Sequence, residues 1–153
     1  MQLTYQDLFP QQDFSHLART VEQYFSKETP LWWVDISSKG QGDKATRRQG
    51  EFSTNTPPAP VACLWAGNAI DQVQGDRHPH IFMLYVMPEH RRRGIGKALM
   101  RYLEAWAIAR GDRQIGLHVF QFNQTAINLY KQLGYQTQSL WMVKTLHSEK
   151  PGE

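Results

Sequence analysis

The chain has 153 residues, a length that fits one domain and supports a buried core, with 41% hydrophobic and 12% aromatic residues that exclude a disordered chain. A net charge of +3 permits an anionic ligand but demands neither nucleic acid nor a membrane surface. The single cysteine, Cys63, excludes an intramolecular disulfide and a cysteine-based zinc site.

In chain order, residues 2–5 suit a short strand. A helix pattern follows, with Asp13 as N-cap and Phe14, Leu17, Val21, Tyr24 and Phe25 recurring at helical spacing. Residues 31–36 (LWWVDI) are aromatic and β-branched and predict a strand. Residues 37–60 are Gly, Ser, Thr, Asn, Pro and charge with almost no apolar residue, which predicts a long mobile loop inside a single domain spanning 1–153. Strands are expected at 61–70 and 80–87, joined by a polar stretch at 71–79. A helix is expected over 93–109, with Ile95, Leu99, Leu103 and Trp106 on one face and Gly111 as its left-handed stop. A strand at 115–120, a helix at 124–133 between Asn123 and Gly134, and a strand at 140–146 complete the reading. The order of elements implies an α/β (α+β) fold in which helices flank a sheet.

Neither end of the chemistry is metal-like. The six histidines are scattered, and His78 with His80 reads as a surface pair too small to hold an ion. The first nine residues lack a basic segment followed by an apolar run, and no stretch approaches ~18 apolar residues, so a cytoplasmic protein is expected.

The informative stretch is 84–97, LYVMPEHRRRGIGK. An apolar strand ends at Val86, Pro88 stops it, and a turn containing Gly94 and Gly96 opens an amphipathic helix. Glycines admit a ligand close to the backbone, and the first N–H groups of a helix lie unpaired at the positive end of its dipole. A strand, glycine turn and helix N-terminus in this order form a seat for a pyrophosphate. Leu99 stands where the dinucleotide fingerprint needs its third glycine, and no Gly-Lys-Ser/Thr follows for a P-loop.

Val86, Pro88, Arg91, Gly94 and Gly96 together resemble the acyl-coenzyme A motif of the GNAT superfamily of N-acetyltransferases, Gln/Arg-x-x-Gly-x-Gly/Ala preceded by V-x-P. Asn123, Ala126, Leu129, Tyr130, Gly134 and Tyr135 resemble that family's second segment, and Met142, Lys144 and Leu146 its closing strand; the likeness covers residues 81–146. It implies a mixed, mostly antiparallel central sheet flanked by helices, acetyl-CoA as acetyl donor, and direct transfer to a primary amine in a ternary complex without a metal. It also implies site residues. The backbones of Leu84, Tyr85 and Val86 would pair with the pantetheine arm, and the amides of Arg92, Arg93, Gly94, Ile95, Gly96 and Lys97 would hold the pyrophosphate. Asn123 would hydrogen-bond the cofactor, Tyr130 would protonate the departing thiolate, and an N–H near Val86 would meet the developing oxyanion.

The base departs from the family pattern. Many members carry a Glu five residues before the Asn, where this chain has His118; others place a carboxylate early on the preceding strand, where it has His80. Histidine as a residue type, with an unperturbed pKa of about 6.5, suits a base at neutral pH, and a water relay is the third option. Cys63 sits in an apolar strand pattern that argues against a nucleophile. Trp32, Trp33, Trp65, His78 and Tyr85 are candidates to line the acceptor site, and the acceptor is a small-molecule or peptide amine. The resemblance is compatible with a homodimer, and the basic residues are concentrated at one turn, which disfavours a nucleic-acid partner. The alternative is a non-catalytic acyl-CoA-binding module, for which the missing Glu is the argument.

Overall fold

The computed structural model describes residues 1–35 and 60–146, so the expected loop at 37–60 lies outside the described residues except for Pro60. The chain falls into two compact units, residues 1–120 and 121–153.

In the first unit, α1 (Gln2–Leu8) and α2 (Leu17–Tyr24) precede β1 (Leu31–Val34), β2 (Ala62–Ile70) and β3 (Arg77–Val86); α3 (Ile95–Ala109) and β4 (Gly116–Leu117) follow. The strands form one sheet in the order β1-β2-β3-β4. The first two pairings are antiparallel and the last is parallel, which is the mixed, mostly antiparallel sheet expected.

Two cores sit on the two sheet faces. Trp32 of β1 packs edge-on against Trp106 (5.4 Å) and Tyr102 (5.6 Å) of α3. Leu64, its register partner, shares that face and is fully buried, as are Met100 and Leu103 of α3. On the opposite face Cys63, Trp65 and Met83 form a buried cluster against which Met1, Val21 and Phe82 pack. Burial pushes the Cys63 thiol up, away from thiolate, in keeping with a structural cysteine.

Several boundaries differ from the sequence reading. Residues 2–5 are helical, not a strand, because the helix brings Tyr5 and Phe9 close together on one side. Tyr5 packs on Phe14 (5.5 Å) and Phe120 (6.3 Å), and Phe9 packs on the same two rings. Asp13 does not cap α2: its carboxylate accepts the Ser15 N–H and hydroxyl, both at 2.9 Å, in a local turn, and His16 takes the cap position. The connection after β2 is only residues 71–76, closed by Asp71 accepting from the Val73 and Gln74 N–H groups. β3 therefore starts at Arg77 and takes in Pro79, which stands opposite Asn68. The strand expected over 115–120 shortens to Gly116–Leu117.

One irregularity decides where side chains point. Trp65 pairs with Met83 and Ala66 with Ile81, leaving Phe82 as an extra residue on β3. A bulge shifts strand parity by one. His80 thus lies on the face of Trp65, Met83 and Tyr85, where an unbroken alternation would turn it to the α3 face. Gly67 accommodates the bulged ring: a Cβ there would lie 2.3 Å from Phe82 Cε2. Gly67→Ala must displace the ring, and overpacking of this kind costs about 1–3 kcal/mol. A clear fall in Tm by calorimetry is the expected outcome; an unchanged Tm would show that Phe82 moves freely.

The second unit holds α4 (Gln124–Gln132). Asn123 caps it, Oδ1 accepting the Ala126 N–H at 3.2 Å. Its end is a Schellman motif: Tyr135 N–H donates to Tyr130 O (3.0 Å), Gly134 N–H to Lys131 O (3.1 Å), and Gly134 takes φ +90°. Residues 140–146, expected as a strand, pair with no strand among the described residues, and Trp141 is 84% exposed. An alternating apolar pattern becomes a strand only where a hydrogen-bonding edge receives it.

Candidate active site

β3 supplies an open edge. Beyond Ile81 no strand among the described residues pairs with it on the side away from β2, since β4 reaches only His80 and Ile81. The Met87 N–H donates to Val61 O on the β2 side (2.9 Å). Backbone groups alternate in direction along a strand, so those of Tyr85 also turn toward β2, and those of Leu84 and Val86 turn outward. The backbone of Tyr85 thus faces the sheet, while the backbone of Leu84 and the N–H of Val86 face the open side.

The edge leads into the turn. After a 3₁₀ turn at Pro88–His90, Arg92 takes φ +62° and Gly94 takes φ +79°. A non-glycine residue at positive φ is uncommon and costs about 1–3 kcal/mol, and such strain clusters at ligand clamps. Gly94 occupies the N-cap of α3 without any side-chain cap, so the first N–H groups of the helix, at Ile95, Gly96 and Lys97, receive no capping side chain. These amides and the helix dipole fit a pyrophosphate. Arg91 braces the turn rather than pointing away from it. Its Nε donates to Val86 O (2.8 Å), its Nη2 pairs with the Asp7 carboxylate, and its guanidinium lies over the Tyr85 ring. Arg92, Arg93 and Lys97 are exposed.

Just past the end of β4, two imidazoles meet. His118 Nδ1 lies 3.2 Å from His80 Nε2, with ring centroids 4.9 Å apart. The two alternatives for the base are therefore one hydrogen-bonded unit. Burial first, and then the positive charge of His118 and of His78, pushes His80 below the ordinary imidazole value of 6.5. Gly116 makes the approach feasible, as a Cβ there would lie 3.0 Å from His78 Nε2 and 3.2 Å from His80 Nδ1.

A group whose pKa falls on folding binds fewer protons in the folded chain, so it favours folding above pH 6.5 and that contribution is lost as pH falls through the depressed value. Stability should drop as pH falls below 6.5, and His80→Gln should flatten that part of the curve. A pH–stability profile unchanged by the substitution would contradict the assignment.

Beside the pair lies a pocket of about 340 Å³ lined by Met1, Thr20, Tyr24, Trp65, His80, Phe82 and His118. Of the five residues the sequence suggested for an acceptor site, only Trp65 is among them. Trp32 packs on α3, Trp33 is 55% exposed, Tyr85 joins the Cys63 cluster, and the His78 Nδ1 lies beside the Gln114 amide at 3.4 Å. Tyr24 and Phe82 were missed because α2 and a bulge bring them in, and neither placement has a local motif.

In the second unit, the Tyr130 ring packs on Tyr135 at 5.8 Å, the apolar contact that accompanies the Schellman end of α4. Burial pushes its phenol pKa up, so it keeps its proton at neutral pH. The capping bond uses the Asn123 oxygen and leaves the side-chain N–H groups out of the cap. Among the described residues no group of three or more His, Cys, Asp or Glu could hold a metal ion, and no helix is long and apolar enough to cross a membrane.

Comparison with known proteins shows the family. The model of the Acetyltransferase (GNAT) family matches residues 3–135, and the chain belongs to that family. Among curated relatives, a thialysine N-epsilon-acetyltransferase of Mus musculus is 38% identical over 60 residues, covering 39% of this chain and 35% of the relative. An uncharacterised N-acetyltransferase of Bacillus subtilis is 35% identical over 86 residues, covering 56% and 54%. The chain thus spans about a third to a half of the length of these relatives. A solved acetyltransferase structure from Pyrococcus furiosus, itself named putative, superposes with a TM-score of 0.55 at 32% identity, over 60% of this chain and 61% of that one.

Proposed function

We propose that the chain is a single acetyltransferase domain that transfers an acetyl group from acetyl-CoA to a primary amine by direct attack in a ternary complex. The observation that carries the reading is the continuity of the open β3 edge with a left-handed turn and the uncapped start of α3. When bound, acetyl-CoA supplies the acetyl group as an activated thioester. The amides from Arg92 to Lys97 hold its pyrophosphate, and the outward backbone groups of Leu84 and the N–H of Val86 align its arm along the edge. From Val86 to Phe82 the strand runs roughly 13 Å, which leads the arm from the turn toward the bulge and the His80–His118 pair.

The acceptor amine enters the pocket beside that pair. The mouse relative is named for acetylating the N-epsilon of thialysine, which supports an amine acceptor here. In the His80 tautomer protonated at Nδ1, its Nε2 accepts the His118 Nδ1–H and orients that ring, the arrangement this reading requires. His118 Nε2 then takes the amine's proton, and Tyr130 donates its phenolic proton to the leaving thiolate. Asn123 donates from its side-chain amide to the cofactor.

Initial rates of thiol release from acetyl-CoA with a panel of primary amines test the reading. Amine-dependent release is expected, with an acidic limb in kcat/KM that His118→Gln removes. Coenzyme A binding without any amine-dependent release would favour the non-catalytic acyl-CoA-binding module.

A further inference from the structure

The pocket beside the His80–His118 pair also constrains what the acceptor is. It lies wholly within the first unit, so its walls come from one packed body. Those walls are aromatic: Phe82 packs on Trp65 at 4.9 Å and on Tyr24 at 5.9 Å. Its polar side is Thr20 and the two imidazoles, and among the described residues that line it none is Asp, Glu, Lys or Arg. A volume of about 340 Å³ is near the lower end for ligand sites, room for a compact molecule.

Such walls act on charge in a definite way. Desolvation without a nearby carboxylate disfavours an ammonium, which helps to deliver the neutral amine that attack requires. Before deprotonation, a single cation is tolerated by the face of an indole or phenyl ring. A second or third ammonium meets no anionic partner among the described lining residues, and burying an unpaired charge is costly.

Resting on the acetyltransferase reading above, we infer that the acceptor is a monoamine with a planar apolar body, of the arylalkylamine class, rather than a polyamine, an aminoglycoside or a diamino acid. The ring would lie among Tyr24, Trp65 and Phe82, with the amine toward His118.

The test uses the full chain with acetyl-CoA and compares kcat/KM for 2-phenylethylamine, lysine, spermidine and kanamycin. The expected result is a preference of at least about tenfold for 2-phenylethylamine over each of the others, equivalent to ~1.4 kcal/mol. Thr20→Asp adds a carboxylate to the wall and should shift the spermidine to 2-phenylethylamine ratio toward spermidine by about tenfold. A preference for spermidine, kanamycin or lysine in the unmodified chain, or a ratio untouched in a folded Thr20→Asp variant, overturns the inference and leaves the acetyltransferase reading standing. No turnover of any amine overturns both. The unmodified chain decides the matter even if the variant does not fold.

Discussion

Gly94→Val is expected to weaken coenzyme A binding by about tenfold to a hundredfold. The position has open space, with no atom within 4 Å of an added Cβ, so the effect is not a clash. It comes from φ +79°, which a β-branched residue adopts at a cost of about 1–3 kcal/mol, and each 1.4 kcal/mol is tenfold in affinity. If the backbone relaxes, the amides of Ile95 and Gly96 no longer converge on one point. Gly111 provides the control, since it takes φ +80° with equally open space at the other end of α3. Gly111→Val should lower Tm comparably and leave coenzyme A affinity unchanged. Equal loss of affinity in both variants would reduce the Gly94 effect to general destabilisation.

Tyr130→Phe should lower kcat by roughly 10² to 10⁴-fold, the usual contribution of general acid–base catalysis, while coenzyme A affinity stays nearly constant. The substitution keeps the ring against Tyr135 and the backbone bonds that end α4, so helix and cap survive. Only the proton is lost. Because burial holds the phenol above its ordinary pKa, the acid is loaded at neutral pH, and no basic limb from its titration should enter the rate profile below the ordinary tyrosine value of 10.0. An unchanged kcat would assign the residue to packing and pass the proton to water.

The two later helices were legible because each carries its own punctuation. Gly94 and Gly111 bound α3, Asn123 and Gly134 bound α4, and each of these residues acts through bonds to its own neighbours in sequence. The site's backbone half was legible for the same reason, as a turn is a local object. Its side-chain half was not. His80 reaches the pocket only because Phe82 bulges out of register opposite the Trp65–Ala66 step, and that bulge depends on the space left by Gly67 on another strand. The helix at Gln2–Leu8 depends likewise on Phe14 and Phe120. The pairing of His80 with His118, 38 residues apart, turned two competing assignments into one arrangement.

The central claim is that the β3 edge, the Arg92–Gly94 turn and the start of α3 form an acetyl-CoA seat. Titration calorimetry of the unmodified chain with acetyl-CoA tests it most directly. One site per chain with micromolar-scale affinity is the predicted result, about −8 kcal/mol at 1 μM. An absence of binding heat, with a folded chain and at several temperatures, would contradict it.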